Sequence, residues 1–103
     1  MRPIRTNIEI RNGTILCTPK DGHVRAAQRT ELEWVSQGEE FTLSFTLLGG
    51  GSAWPFKEPQ PPVFQPTKAF KGTLRDVTAE APAYKYTVRM GAKLLDPIII
   101  VDK

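Results

Sequence analysis

The sequence predicts an all-β sandwich, and three observations lead to it. "FTLSFTL" (41–47) alternates Phe41, Leu43, Phe45 and Leu47 with Thr42, Ser44 and Thr46. "YKYTVRM" (84–90) alternates Tyr84, Tyr86, Val88 and Met90 with Lys85, Thr87 and Arg89. Further short runs, separated by Gly and Pro breaks, recur along the rest of the chain. A period of two sends successive side chains to opposite faces, so each run reads as a strand with one face buried. Each apolar side chain so buried contributes about 1.5–3 kcal/mol. Many short strands punctuated by turn residues indicate a sandwich or a barrel.

The N-terminal third reads "TNIEIRNGTILCTP", with Ile8 and Ile10 before Asn12-Gly13 and Ile15 and Cys17 after it. Asn-Gly between alternating runs signals a hairpin, because both residues tolerate positive φ. Pro19 and Gly22 then break the chain. Residues 24–37, "VRAAQRTELEWVSQ", carry competing signals. The helix formers, Gly38 as a stop, and the Thr30/Glu33 capping-box spacing favour a helix. The alternation of Leu32 and Trp34 with Glu31 and Glu33 favours a strand at 31–35, and the neighbouring strands decide for it. Residues 49–66, "GGGSAWPFKEPQPPVFQP", hold three glycines and five prolines, which exclude a regular central strand or helix. After the 84–90 strand, "GAKLLD" (91–96) reads as a loop. "PIIIVDK", from Pro97, reads as a strand whose unbroken branched run fits burial on both faces.

At 103 residues the chain fits one domain spanning 1–103. A domain of this size buries roughly two-thirds of its unfolded surface, enough for a core without staples. One cysteine excludes an internal disulfide and suits a reducing compartment. The basic start is followed by no apolar run, and the longest apolar run, "IIIV", is far too short to cross a membrane. The expectation is a cytoplasmic chain with no membrane partner. Fourteen Lys and Arg against eleven Asp and Glu leave a net charge of +3. The charges are mixed rather than clustered, which argues against a nucleic-acid surface.

"TELEWVSQGEEFTLSF" is similar to the middle of a cupredoxin-like sandwich, where an apolar-x-Trp strand precedes a polar turn and another strand. "YKYTVRMGAKLLDPIIIV" resembles the C-terminal strand, loop and strand of that fold. The resemblance covers the last three-quarters of the chain and implies a Greek-key sandwich. An immunoglobulin-like sandwich is the alternative, although the Cys–Trp–Cys hallmark of antibody domains is missing. Copper-carrying cupredoxins use two His, one Cys and an axial Met. The resemblance would put that Cys at Val88, with a His and a Met in the loop after it. Here the loop reads Gly91, Ala92, Lys93, Leu94, Leu95, and no His follows the Trp strand. The resemblance therefore implies the fold without the metal centre, and no cofactor is expected.

"CTPKDGH" (17–23) contains the lone cysteine and the lone histidine. Two metal ligands at this spacing need two more, and Asp21 is the one nearby carboxylate. A Cys nucleophile with a His base needs an orienting third group that nothing here identifies. The simpler reading makes Cys17 a small buried hydrophobe in register with Ile15, and His23 a solvated residue after the Asp21-Gly22 turn. Glu39 and Glu40, adjacent on a strand, point apart and form no carboxylate pair. Glu31 and Glu33 share one solvated face. The triple glycine lacks the Lys-Ser/Thr of a phosphate loop.

Trp54, Phe56 and Lys57 are the candidate binding residues, since aromatics beside a cation are common interface anchors. The competing reading has Trp54 and Phe56 fold back to plug one end of the sandwich. "PQPP" (59–62) fits a PxxP ligand or a stiff crossover between strands. The expected function is a non-catalytic module acting through protein contacts or self-association. One alternative is a carbohydrate or small-ligand binder using Trp54, Phe56 and Trp34. Another is a metal or redox protein built on Cys17, His23 and Met90.

Overall fold

The computed structural model describes residues 3–48, 53–77 and 82–102. Among the described residues nine strands follow in order: β1 (Ile4–Arg11), β2 (Thr14–Thr18), β3 (Val24–Ala27), β4 (Glu31–Ser36), β5 (Thr42–Leu47), β6 (Ala69–Thr73), β7 (Ala83–Met90), β8 (Lys93–Leu95) and β9 (Ile98–Asp102). They form two sheets, one ordered β2-β1-β4-β6 and the other β3-β9-β7-β5, with β8 also paired to β7. Among the described residues no helix is long and apolar enough to cross a membrane. The core lies between the sheets. Ile8, Leu32 and Trp34 enter it from the first, and Phe45, Tyr86, Val88 and Ile99 from the second.

The strongest sequence signals became the strands they indicated. Asn12 (φ 53°) and Gly13 (φ 79°) close the β1–β2 hairpin, with Arg11 opposite Thr14. Two positive φ values in a two-residue loop match the right-handed twist of the flanking strands. The β4 strand runs one residue past the expected 31–35, and its alternation buries Leu32, Trp34 and Ser36. On the outer face Glu33 sits between two cations, Arg5 Nε at 2.8 Å and Lys71 Nζ at 3.9 Å. The Glu33 carboxylate thus ties β1, β4 and β6 together across the sheet, where a capping role would have needed a helix.

Several expectations need correction. Residues 91–96 do not form an open loop. Met90 pairs with Lys93 across a two-residue turn, and Leu94 and Leu95 pair with Arg89 and Val88. The register continues unchanged to Lys85 opposite Ile98, so β8 and β9 form one arm interrupted at Asp96-Pro97. Pro97 has no N–H to give, but its carbonyl accepts the Tyr86 N–H at 2.9 Å. Nor is β9 covered equally on both faces: Ile99 and Val101 are buried, while Ile98 and Ile100 lie half-buried on the outside. Strands β3 and β6 carry no clear alternation in sequence. Each exists because a neighbour supplies its ladder, β9 in parallel for β3 and β4 in antiparallel for β6.

Each sheet contains one parallel pair, β1–β4 and β3–β9. That departs from the antiparallel sheets of the immunoglobulin-like alternative. The chain also changes sheets within one connection, leaving β2 and entering β3 through a tight turn with Lys20 (φ 56°), Asp21 (φ 56°) and Gly22 (φ 84°).

Gly72 of β6 allows a close approach. A side-chain carbon there would lie 2.5 Å from Phe56 Cδ1 and 2.6 Å from Cγ. Gly72→Ala is therefore expected to cost about 1–3 kcal/mol in denaturant unfolding, as overpacking does. Gly38→Ala, which meets nothing within 4 Å, should stay within about 0.5 kcal/mol. Equal effects from the two substitutions would contradict this packing.

Candidate functional site

Strands β5 and β6 are edge strands of opposite sheets, and the chain between them closes that side of the sandwich. Its first part is pinned to β6. Phe56 bridges Leu74, the Lys57 N–H donates to Thr73 O at 2.8 Å, and the Arg75 N–H donates to Pro55 O at 3.0 Å. The Glu58 carboxylate accepts the Thr73 N–H at 2.8 Å. Burial opposes its charge, yet the Thr73 N–H bond and Lys57 hold the Glu58 carboxyl below the usual range. At the far end Phe41 and Thr67 exchange both backbone hydrogen bonds, at 2.8 and 3.0 Å.

Aromatic packing stiffens the segment between these anchors. Trp54 is half-buried and donates from Nε1 to Glu58 O at 2.6 Å. Its ring meets Phe45 and Phe56 edge-on, at centroid distances of 5.4 and 5.2 Å. Phe64 packs on Phe70 at 5.0 Å. Such pairs add about 0.5–1.5 kcal/mol beyond the area they bury. Two depressions flank Phe64. One, about 220 Å³, is lined by Pro61, Val63, Phe64, Ala69 and Phe70. The other, about 200 Å³, lies between β5 and the loop and is lined by Leu43, Phe45, Trp54, Pro61 and Phe64. Val63 stands 65% exposed at the rim.

The three residues singled out from sequence separate here. Phe56 is wholly buried and offers a partner no surface; its ring fastens the loop to the core. Trp54 shows part of its ring, and Lys57 is exposed beside it. Trp34 is fully buried, so it cannot join a surface site. The residues that sequence reasoning passed over are Val63 and Phe64. The apolar pair inside "PPVFQP" was the available signal, since apolar residues amid prolines have no strand face in which to hide. Residues 59–62 are exposed along the same rim. The triple glycine (49–51) lies outside the described residues.

Cys17 and His23 do not converge. Cys17 is 1% exposed and faces the core, and burial, with the Asp21 charge second, pushes its thiol up to about 11. His23 is exposed, and its Nδ1 accepts the Ile98 N–H at 3.1 Å, just ahead of the first β3–β9 pair, Val24–Ile99. Gly22 O accepts the buried Tyr86 hydroxyl. The turn between β2 and β3 is thus held by His23, Gly22 and Cys17 as structural groups. Met90 is buried at the other end of β7, and Val88, where the resemblance would put a copper thiolate, is wholly buried. Among the described residues no three His, Cys, Asp or Glu side chains gather as a metal site would need. The chain matches no protein-family model and no curated protein.

The raised Cys17 thiol has two measurable consequences. Native protein should react with a maleimide far more slowly than unfolded protein, and His23→Ala should leave that rate unchanged. A thiol whose folded pKa lies above its unfolded value keeps its proton longer in the folded state. Stability is therefore unaffected below pH 9 and falls as pH rises from about 9 towards 11. Cys17→Ser, which lacks that titration, should flatten this part of a stability-versus-pH curve.

Proposed function

We propose that the protein is a non-catalytic β-sandwich module, of Greek-key cupredoxin-like architecture without a copper centre, that binds a protein partner through its proline-aromatic side. The architecture is supported by the mixed sheets with parallel β1–β4 and β3–β9 pairs, and by the passage of the chain between sheets after β2. The positions that the resemblance would give to copper ligands hold a buried Val88 and a two-residue turn after β7.

One observation carries the binding role: Val63 is 65% exposed on a segment that is anchored at both ends and braced by Trp54, Phe64 and Phe70. An apolar contact held in place in advance loses little conformational freedom on binding, so more of its burial appears as affinity. Trp54 has its Nε1 engaged by Glu58 O and its ring packed on Phe45 and Phe56, which leaves less of it for stacking on a sugar.

A photocrosslinking residue at position 63, introduced in cells, should yield discrete protein adducts. The same residue at position 71, on the outer face of β6, should not. Equal labelling from both positions, or none from position 63, would remove the basis for this reading. Copper(II) added to the purified chain should leave the thermal midpoint unchanged. A concentration-dependent rise would reveal a metal site and overturn the copper-free assignment.

A further inference from the structure

Strand β3 is the edge of the second sheet opposite β5, so its surroundings lie away from the proline-aromatic side. Two depressions adjoin there. One, about 270 Å³, lies on the outer face and is lined by Lys20, His23, Val24, Arg25, Ile98 and Ile100. The other, about 200 Å³, opens between β1 and β3 and adds Ile4, Thr6 and Pro19 to the first four of those residues. No carboxylate lines either one. Together they reach the size of small-molecule sites, about 300–1,000 Å³.

Strand parity makes the floor apolar. Ile99 and Val101 point into the core, which leaves Ile98 and Ile100 half-buried on the outer face. Arg25 stands opposite Ile100, and the register continued one step puts His23 beside Ile98. The imidazole agrees, since its Nδ1 accepts the Ile98 N–H at 3.1 Å. An acceptor at Nδ1 places the ring proton on Nε2, which faces away from that bond as a donor. Lys20 is held in the tight turn by Gly22 N–H to Pro19 O and His23 N–H to Lys20 O, both at 3.0 Å. Arg25 is already engaged by Asp102 through two nitrogens. Lys20 Nζ and His23 Nε2 have no partner among the described residues, and both residues are exposed.

We propose that this hollow binds a small carboxylic acid with a short hydrocarbon tail. The carboxylate accepts from Lys20 Nζ and His23 Nε2, and the tail lies over Ile98 and Ile100. Two features select this ligand. A free cation beside a free N–H donor, with no carboxylate in the lining, favours an anion. The isoleucine floor rewards a hydrocarbon and gives nothing to a hydrated inorganic anion. The volume holds one short chain rather than a segment of a folded partner. The site is separate from the proline-aromatic side and stands or falls independently of it.

His23 is the sole histidine, so its ring gives a single set of NMR signals. Octanoate titrated into the full chain should shift the His23 ring signals and the Ile98 and Ile100 methyl signals along one saturable isotherm. Affinity should rise about two- to fourfold per methylene from butanoate to octanoate. Lys20→Gln should weaken octanoate binding about tenfold, the worth of one charge-assisted hydrogen bond, and leave the thermal midpoint of the free chain in place. An unchanged affinity in that variant, or 1-octanol binding as tightly as octanoate, would overturn the carboxylate contact and the proposal with it. Acetate binding as tightly as octanoate would show an adventitious ion only and refute the site. Octanoate shifts centred on Trp54 and Phe64, or no saturable shift, would refute it equally.

Discussion

A phenylalanine ring lying on a glycine holds the long connection of this protein in place. Phe56 occupies the space that any Gly72 side chain would need, and it touches aromatic residues of both sheets, Trp34 and Phe45 among them. Its burial is what allows residues 55–58 to run beside β6, with the Lys57 N–H and the Glu58 carboxylate meeting the Thr73 backbone. Without that anchor, a connection rich in proline would have no ladder to define its path. With it, the prolines become useful: they stiffen the segment and withhold the N–H groups that would make it an aggregation-prone edge.

Charge and hydrogen bonding differ from one side of the molecule to the other. On the outer face of the first sheet, Arg5, Glu33 and Lys71 form a cation–anion–cation row across three strands. At the β3 side, Arg25 and Asp102 pair through two nitrogens, and His23 supplies the acceptor that begins the β3–β9 ladder. These groups have local partners. The β5 side differs: Leu43 and Phe45 are buried beside a cleft they share with Trp54, Pro61 and Phe64, and Val63 stands exposed at the rim. Edge strands are usually covered or charged in monomeric proteins, and here the proline-rich connection lies over Leu43 and Phe45.

Much of the architecture was legible from local pattern. The runs at 41–47 and 84–90, the Asn12-Gly13 hairpin and the Leu32/Trp34 strand all depend on nearest-neighbour chemistry, and they appear as β5, β7, the β1–β2 hairpin and β4. Cys17 continued the Ile15 alternation and is buried accordingly. What escaped were elements whose existence is conferred by a distant partner. "VRAA" is a strand because β9 lies beside it, and "AFKGT" because β4 does and because Phe56 needs the gap at Gly72. The candidate surface was read only in part for the same reason. Trp54 and Phe56 looked equivalent in sequence, but the fold buries one ring completely and leaves the other half-covered, while Val63 takes the exposed rim.

Residue order alone determined that this chain builds strands, since a two-residue apolar period has only one way to bury its face. It also determined where the chain must turn, because Gly, Asn and Pro restrict or permit backbone angles irrespective of their surroundings. Tertiary structure decided which strands pair in parallel, which aromatic rings reach solvent, and that the lone thiol and the lone imidazole face different environments. Those outcomes depend on long-range packing, where a ring and a gap at a glycine meet from positions far apart in the chain.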